Sequence, residues 1–323
     1  MSVAVLEELA AEHLAVLREH VPADVSITAP ADAAALAQAT CLLVRSGEAK
    51  AAVIAAAPAL RRVVRIDLGG GSVDEAACEA RGIPIDVVQS VSLISVAEHA
   101  VMSILMLLKR FAPASERLRA GVVVGGLEPA LTTQESYAYN WVGLERFAAL
   151  RNQTVGLVGL GRIGSHAAHL LRAFGADVVY TKRARLDAAT EAALGVRYLP
   201  FDELLAASIC VSLHNRFDGT NEQLMGAREF GLMPTGSFFV NTARGRLVDE
   251  DALVAALASG HLAGAALDVF RYEPLPPESP LLTAPGLLLT PHTGGIPMAE
   301  SQVLELREAG RLLAGALRTR QER

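Results

Sequence analysis

The chain has 323 residues, 51% of them hydrophobic, so it can bury a large core and is long enough for us to expect two domains. Its formal net charge of −6 argues against a nucleic-acid partner, because such a partner requires a basic surface. The three cysteines lie far apart and in no C-x-x-C spacing, which predicts neither a metal site nor disulfides and favours a reducing, cytoplasmic location; they are Cys41, Cys78 and Cys210.

The first part of the chain alternates short β-rich runs with alanine-rich stretches. Residues 1–20 mix acidic and apolar side chains, which indicates an amphipathic helix and not a signal peptide. The runs that predict strands are residues 25–28, 41–44, 63–66 and 83–88. The stretches that predict helices are residues 31–38, 48–56 and 73–81. This alternation is typical of a small parallel α/β sheet.

A longer helix is predicted over residues 95–110, where apolar residues are too dense for a surface helix. Its most apolar run, 101–108, is too short to cross a bilayer and follows Glu98 and His99, so we expect no membrane partner. Residues 111–150 lack the alternation of strand-like and helical runs seen before them, and we interpret them as a connecting arm that packs on another domain or subunit. The aromatic residues of the arm include Tyr137, Tyr139 and the single tryptophan, Trp141.

From residue 154 onward, strands and helices alternate again, and right-handed crossovers predict a doubly wound sheet. The predicted strands are residues 154–158, 177–180, 196–199, 209–213, 237–240, 264–269 and 287–290. A last helix, predicted over 298–317, follows the final strand and could return to pack on the first domain.

A glycine-rich loop follows the strand at 154–158 and leads into an apolar helical stretch. Gly159 suits a tight turn, Gly161 allows a pyrophosphate to approach closely, and Gly164 lets the helix pack on the strand. The N-terminus of such a helix binds phosphate groups through its free N–H groups. A purely structural glycine turn is the alternative, but the strand and helix around the loop favour a dinucleotide site.

The next strand ends in Thr181, Lys182 and Arg183, where the charge is the reverse of that expected for NAD. An NAD-binding unit carries Asp or Glu there, because the acid bonds the ribose 2′-hydroxyl. Lys and Arg attract a 2′-phosphate instead, and Arg185 lies beside them. We therefore expect NADP(H) to be the preferred cofactor and NAD(H) to be possible, the alternative being a solvated basic loop end.

Three later segments each offer one ionisable group after a strand. Arg244 can hold a carboxylate in fork geometry and polarise a neighbouring carbonyl. His292 can exchange a proton near neutral pH, as reduction of a ketone requires, and Glu273 can orient its imidazole. Taken singly, Arg244 could form an ion pair at a helix end, His292 could be a histidine in a turn, and Glu273 could be a solvated loop charge. Together they predict a catalytic set of substrate clamp, acid/base and orienting carboxylate.

With these residues in place, the chain resembles the D-2-hydroxyacid dehydrogenase family, which includes phosphoglycerate, glyoxylate/hydroxypyruvate, formate and phosphite dehydrogenases. The matching segments follow the family's order and cover roughly residues 60–300; they are residues 95–99, 159–164, 241–245, 268–270 with 273–274, and 291–295. The resemblance implies two Rossmann-like or flavodoxin-like parallel-sheet domains. Residues 1–94 and 296–323 would form the substrate domain, and 95–295 the inserted NAD(P)-binding domain with its 111–150 arm. It further implies a homodimer joined through the nucleotide domains.

The resemblance also implies individual contacts, with the active site in the cleft between the domains. Asp268 would hold the nicotinamide carboxamide. The other cofactor contacts would be Gly159, Gly161, Arg162, Ile163, Gly164, Thr181, Lys182, Arg183, His214, Arg216, Thr242, Ala243, His292 and Gly294. The substrate, a small 2-oxo or 2-hydroxy acid, would meet Leu68, Gly69, Gly70, Ser92, Arg244 and His292.

The departures from the family pattern bear on function. The substrate loop at 67–74 lacks the usual first glycine and an aspartate, which loosens any inference about the substrate. His214 is followed by Asn215 and Arg216 where the family prefers His-x-Pro, so Arg216 is either a further 2′-phosphate contact or a surface residue. The formate branch carries Gln in place of Glu273 and Asn in place of Ser92.

These observations favour an NADPH-preferring reductase that converts a 2-oxo acid, or a close analogue, to the D-2-hydroxy acid. A formate- or phosphite-type dehydrogenase is the alternative within the same enzyme class. A dinucleotide-sensing scaffold similar to the family's transcriptional co-repressors is the alternative outside it. NADPH is generally kept reduced in cells, so the expected cofactor preference also favours the direction of reduction.

Overall fold

The computed structural model describes residues 1–67 and 72–318. The chain divides into two compact units, one made of Met1–Ile94 with Ile296–Arg323 and the other of Ser95–Gly295. Each unit contains a parallel sheet with helices, which confirms the predicted α/β fold class. Three residues that the resemblance assigns to substrate binding lie outside the described residues; they are Leu68, Gly69 and Gly70.

The strands of the first unit are β1 (Ser2–Val5), β2 (Ser26–Thr28), β3 (Cys41–Val44), β4 (Glu48–Ala49), β5 (Arg62–Asp67), β6 (Ser72–Val73) and β7 (Ile85–Gln89). Its helices before residue 91 are α1 (Ala11–Arg18), α2 (Ala33–Gln38), α3 (Ala51–Ala55) and α4 (Glu75–Glu79). Five strands form one parallel sheet in the order β2-β1-β3-β5-β7, and β4 pairs with β6. Alternate residues of β1 and β3 are buried in hydrophobic clusters on opposite faces, as expected for central strands of a parallel sheet.

The prediction of one helix over residues 1–20 is wrong, because the structure places a central strand there. β1 occupies Ser2–Val5, and α1 begins only at Ala11. A short apolar run that is buried on both faces has no periodicity that separates a strand from a helix. Glu48 and Val73 were predicted to lie in helices but belong to β4 and β6, whose pairing joins distant parts of the chain.

The strands of the second unit are β8 (Thr154–Val158), β9 (Asp177–Thr181), β10 (Val196–Tyr198), β11 (Cys210–Leu213), β12 (Ser237–Asn241), β13 (Leu262–Leu267) and β14 (Leu287–Leu289). The remaining helices of the chain are α5 (Val91–Leu108), α6 (Phe111–Arg119), α7 (Arg162–Ala173), α8 (Ala188–Leu194), α9 (Phe201–Ala207), α10 (Ala227–Leu232), α11 (Glu250–Ala258) and α12 (Met298–Arg318). α5 begins in the first unit and continues into the second, and α12 belongs to the first. There α12 packs on the sheet, where Leu306 and Leu313 join a buried cluster with Val5 and Val64.

The sheet of the second unit is parallel throughout, in the order β10-β9-β8-β11-β12-β13-β14. The strand order reverses between β8 and β11, and ligands of doubly wound sheets bind beyond the carboxyl ends of the strands at such a reversal. The predicted strands agree with these seven to within two residues at each end, because each is a short apolar run between turn residues.

α5 is long and apolar enough to cross a membrane by length and composition, a property that core helices also have. Its buried residues Val101, Ile104 and Leu108 belong to the cluster that contains Val155 and Leu157 of β8. The 111–150 segment is not irregular throughout, since it begins with α6. The rest of the segment exposes large apolar side chains, with Leu131 98% exposed.

Candidate active site

The glycine-rich loop lies at the point where the strand order of the second unit reverses, between β8 and α7. Gly159 has φ +95°, and a Cβ there would lie 2.6 Å from the backbone N of Asn215, so a glycine is required. A Cβ on Gly164 would lie 2.6 Å from the Gly159 carbonyl oxygen, so α7 can pack closely on the loop only because this residue has no side chain. At Gly161 a Cβ would meet nothing within 4 Å, so this side of the loop is open. Two further predicted cofactor contacts, Arg162 and Ile163, begin α7.

The basic residues that follow β9 have different partners. The Thr181 carbonyl accepts the Gly159 N–H (2.8 Å), so the end of β9 lies beside the glycine loop. Lys182 Nζ donates to the Leu160 carbonyl at 3.4 Å, which places its ammonium group at the same loop. The Arg183 side chain is 89% exposed and pairs with Asp218 Oδ2 at 3.0 Å. Hydrogen bonds from Thr220, with the nearby Arg183 charge, hold the pKa of Asp218 below its ordinary value.

Arg185 does not join this basic group. Its guanidinium forms two hydrogen bonds with Glu191, at 2.8 and 2.9 Å, and lies 5.3 Å from the centre of the Tyr198 ring. A carboxylate at this distance satisfies the fork of the guanidinium. The predicted basic cluster is therefore smaller than the sequence indicates and consists of Lys182 and Arg183, with Arg216 on the neighbouring loop.

Polar atoms without partners line the loops after β11 and β12. His214 Nδ1, Asn215 Oδ1 and Thr242 Oγ1 are buried and have no hydrogen-bond partner among the described residues. Burial lowers the pKa of the His214 imidazole to about 4, so this ring is neutral at physiological pH. Buried polar atoms are normally satisfied by protein, water or ligand. These three therefore fit a polar ligand such as a dinucleotide at the carboxyl edge of the sheet.

The loop of Arg244 is fixed by Asn241, the fully buried last residue of β12. Asn241 Oδ1 accepts the Ala243 N–H and Nδ2 donates to the Arg244 carbonyl, both at 3.0 Å. A Cβ on the next residue, Gly245, would lie 1.9 Å from the backbone carbonyl carbon of Phe270, so only glycine fits. The loop that carries the exposed Arg244 side chain thus lies directly against Phe270. Phe270 precedes Glu273 by three residues.

Glu273 and His292 form a hydrogen-bonded pair. His292 Nδ1 lies 2.7 Å from Glu273 Oε2, and Glu273 Oε1 accepts the Phe270 N–H at 3.0 Å. Within the described part of the chain, no hydrogen bond is formed by the other ring nitrogen, Nε2. His292 adopts φ +56°, a left-handed conformation that costs free energy for a residue with a side chain. A carboxylate at Nδ1 and an unbonded Nε2 are what an acid/base imidazole requires.

The electrostatics of the pair favour an ionised Glu273. Burial raises the pKa of this carboxyl, but the hydrogen bonds from His292 and the Phe270 N–H, with the charges of His292 and Arg244, outweigh burial and hold the pKa below its ordinary value. The carboxylate is therefore lost only when the pH falls through this lowered value, and it remains beside His292 at neutral pH.

Asp268, which the resemblance assigns to the cofactor, is buried and hydrogen-bonded to the loop of His292. Its side chain is 3% exposed, and both oxygens already accept hydrogen bonds from the loop that carries His292. Oδ1 accepts from Thr290 Oγ1 (2.7 Å) and the Thr293 N–H (2.9 Å), and Oδ2 accepts the Gly294 N–H (2.8 Å). Sequence reasoning missed this bracing role and that of Asn241, because each depends on contacts that no local pattern reports.

One cavity of about 760 Å³ in the second unit brings the proposed catalytic residues together with several of the proposed cofactor contacts. Its lining residues from the cofactor set are Ile163, His214, Arg216, Thr242 and Ala243, and those from the catalytic set are Arg244, Glu273 and His292. Ser92 lies instead at the beginning of α5, in the first unit. Among the described residues, no cluster of three His, Cys, Asp or Glu side chains could hold a metal ion.

Comparisons with known proteins identify the family of the chain. A family model described as "D-isomer specific 2-hydroxyacid dehydrogenase, NAD binding domain" matches residues 101–294. Glyoxylate/hydroxypyruvate reductase B of Cronobacter sakazakii is 33% identical over 270 residues, which cover 83% of this chain and 78% of the relative. D-3-phosphoglycerate dehydrogenase of Mycobacterium leprae is 37% identical over 266 residues, covering 81% of this chain and 46% of that longer protein. Among solved structures, D-mandelate dehydrogenase of Rhodotorula graminis has a TM-score of 0.60 at 25% identity, covering 96% of this chain and 92% of that one.

The Glu273–His292 pair can be tested by titration. Replacing His292 with alanine should raise the pKa of Glu273, because burial remains while one hydrogen bond and one charge that lower it are removed. The measurement is a ¹³C NMR titration of the Glu273 carboxyl carbon, assigned with Glu273→Gln. Arg244→Ala is the control and should raise the pKa less, since it removes a charge but no hydrogen bond. An unchanged Glu273 pKa in His292→Ala would contradict the geometry.

Proposed function

Because the chain belongs to the D-isomer-specific 2-hydroxyacid dehydrogenase family, we propose that it reduces a 2-oxo acid to the D-2-hydroxy acid and prefers NADPH as the cofactor. The chain is an oxidoreductase with a nicotinamide dinucleotide cofactor, and its family acts on small 2-oxo and 2-hydroxy acids. The observation that carries the proposal is that one cavity is lined both by residues near the glycine loop and by Arg244, Glu273 and His292.

In this proposal His292 is the acid/base. A nicotinamide held by the proposed cofactor contacts would supply a hydride to the carbonyl carbon of the acid, and the oxygen of that carbonyl would then need a proton. His292 donates that proton from Nε2, while Glu273 at Nδ1 orients the ring and stabilises its protonated form. The lowered pKa of Glu273 supports this role, since the carboxylate remains ionised while the imidazole changes its charge.

Arg244 is the proposed substrate clamp. Its guanidinium is always charged and presents parallel N–H donors that match a carboxylate, and the same charge stabilises the oxyanion of the transition state. The turn fixed by Asn241 and the close contact of Gly245 with Phe270 hold the Arg244 backbone in place, which limits reorganisation during the reaction. Leu68, Gly69, Gly70 and Ser92 are proposed to complete the substrate site, by resemblance to the family.

The proposed preference for NADPH rests on Lys182 and Arg183, with Arg216 on the adjacent loop. No acid lies at the end of β9 to accept a ribose 2′-hydroxyl, and Lys182 is directed at the glycine loop. The Arg183–Asp218 pair partly offsets this positive charge, so some use of NADH is compatible with the site. The other proposed cofactor contacts are Gly159, Gly161, Arg162, Ile163, Gly164, Thr181, His214, Thr242, Ala243, Asp268, His292 and Gly294.

A formate- or phosphite-type dehydrogenase remains the second candidate, because residues 95–99 and 180–183 resemble the formate branch. The ionised carboxylate at Nδ1 of His292 favours an acid/base imidazole and hence an ordinary 2-oxo acid reductase. The third candidate, a dinucleotide-sensing scaffold, does not need this pair.

We also propose a homodimer and a cytoplasmic location. The arm after α6 exposes a concentration of large apolar side chains that is unusual for a free surface and typical of an interface; they are Val123, Val124, Leu127, Leu131, Tyr137, Tyr139 and Trp141. All three cysteines are buried and unpaired, which suits a reducing compartment.

Catalysis is tested with a panel of 2-oxo acids from glyoxylate and hydroxypyruvate to phenylpyruvate, with formate and phosphite as oxidation substrates. His292→Ala should lower kcat by roughly 10²–10⁴-fold, the range expected for loss of a general acid. Arg244→Ala should raise KM for the acid and also lower kcat, because the guanidinium is proposed both to bind the carboxylate and to stabilise the oxyanion of the transition state. The exposed His169→Leu on α7 is the control. Full activity of His292→Ala, or turnover of formate alone, would contradict the proposal.

Cofactor preference is tested by exchanging the charge at Lys182. Lys182→Asp should weaken NADPH binding and improve NADH binding, because the carboxylate repels a 2′-phosphate and accepts a 2′-hydroxyl. We expect a shift in the ratio of the two dissociation constants of at least about tenfold, equivalent to roughly 1.4 kcal/mol. Arg185→Ala is the matched control and should leave the ratio unchanged, since Glu191 already binds Arg185. A wild-type protein that binds NADH more tightly would overturn the preference.

The homodimer is tested by sedimentation equilibrium. Leu131→Asp with Tyr139→Asp should raise the dimer dissociation constant by roughly 30-fold or more, as expected for loss of large apolar contacts at an interface. Phe174→Asp places the same charge on an exposed apolar residue outside the arm and should leave dissociation unchanged. A wild-type chain that is monomeric at micromolar concentration would exclude the dimer.

A further inference from the structure

His99, on α5, contacts the loop that carries His292 through a hydroxyl group. His99 Nε2 lies 3.0 Å from Thr290 Oγ1, and Thr290 Oγ1 lies 2.7 Å from Asp268 Oδ1. The His99 imidazole itself is 3.7 Å from the same carboxylate oxygen. His99 is one turn of helix from Ser95, whose hydroxyl donates to the Gly294 carbonyl at 2.8 Å. Two residues on one face of α5 therefore bind the two ends of residues 290–294.

The directions of these hydrogen bonds follow from the number of available protons. Thr290 Oγ1 carries one proton, and the Asp268 carboxylate can only accept, so the hydroxyl donates to Asp268. Thr290 Oγ1 must then accept from His99, which places a proton on Nε2. His99 therefore donates to Thr290, and Thr290 donates to Asp268. The Asp268 carboxylate also accepts the Thr293 and Gly294 N–H groups.

Residues 290–294, which Ser95 and His99 contact, include His292 and must therefore be held in place for the proposed catalysis. His292 lies between Thr290 and Thr293 in a left-handed conformation, with its N–H donating to the Thr290 carbonyl at 3.0 Å. A left-handed residue with a side chain persists only where its surroundings determine it. Gly294 is equally constrained, because a Cβ there would lie 2.8 Å from Asp268 Oδ2 and 3.6 Å from the His99 side chain.

We propose that His99 is a positioning residue for His292. By donating to Thr290, His99 holds that hydroxyl on Asp268, and Asp268 in turn fixes the backbone of residues 290–294 so that the His292 imidazole stays hydrogen-bonded to Glu273. The proposal rests on the proposed role of His292 as the acid/base and assigns to α5 a part in the reaction. The hydrogen bond of His99 is to Thr290, its ring also lies 3.7 Å from Asp268 Oδ1, and no hydrogen bond joins it to Arg244, Glu273 or His292.

The test uses paired variants of the full chain. Thr290→Val removes the hydroxyl at nearly constant volume, and Thr290→Ser retains it. His99→Leu removes the donor, and His99→Gln retains an N–H donor near the position of Nε2. His169→Leu, at an exposed site on α7, is the control for loss of an imidazole. The readouts are kcat, KM for NADPH, and hydrogen exchange of the Thr293 and Gly294 amides in the protein without substrate.

We expect Thr290→Val and His99→Leu each to lower kcat roughly tenfold and to speed exchange of both amides, with KM for NADPH changed less than about twofold. Thr290→Ser and His99→Gln should retain most of the activity. The double variant His99→Leu/Thr290→Val should be no worse than Thr290→Val alone, because His99 acts through that hydroxyl.

Multiplicative losses in the double variant, or unchanged amide exchange in both single variants, would overturn the proposal. A general loss of structure would instead raise KM for NADPH and speed exchange in β8, and the Ser and Gln variants would then not restore kcat. If the wild-type protein reduces no 2-oxo acid, the proposed function fails. The exchange rates and their coupling in the double variant still decide whether His99 fixes the loop.

Discussion

The site depends on one buried carboxylate. Asp268 is almost fully inaccessible to water, so its oxygens need donors from the protein, and the loop after β14 supplies them from Thr290, Thr293 and Gly294. The loop must bend tightly to do so, and His292 adopts its left-handed conformation within that bend. The geometry of the proposed acid/base is thus determined by a hydrogen-bond requirement in the core and by Glu273, not by His292 itself.

The parallel sheet explains why residues far apart in the chain meet at this site. Every strand of the second unit ends at the same edge, so the glycine loop after β8, Arg244 after β12, Glu273 after β13 and His292 after β14 lie along one side. Their loops are further fixed by close backbone contacts, such as that of Gly245 with Phe270. Bringing charged groups together in this way costs free energy through desolvation, and the Glu273–His292 hydrogen bond offsets part of that cost.

Much of this could be predicted from the sequence, because the informative signals are local. β8 was predicted with its observed bounds, since an apolar run followed directly by glycine indicates where the strand ends. The same reasoning was wrong at β1, where a central strand has no periodicity of its own. It also placed Arg185 in a basic cluster, although Glu191 binds it. The contact of His99 with Thr290, beside His292, joins residues 191 positions apart, and a single sequence carries no signal for such a contact.

The most direct test of the proposed reaction is to follow the transferred hydride. NADPH labelled with deuterium at either face of the nicotinamide C4 would be incubated with the wild-type protein and a 2-oxo acid that it reduces. We expect that deuterium from one face alone appears at C2 of the product, that the product is the D-2-hydroxy acid, and that His292→Ala slows the transfer by roughly 10²–10⁴-fold. An L-product, or deuterium lost to solvent, would contradict it.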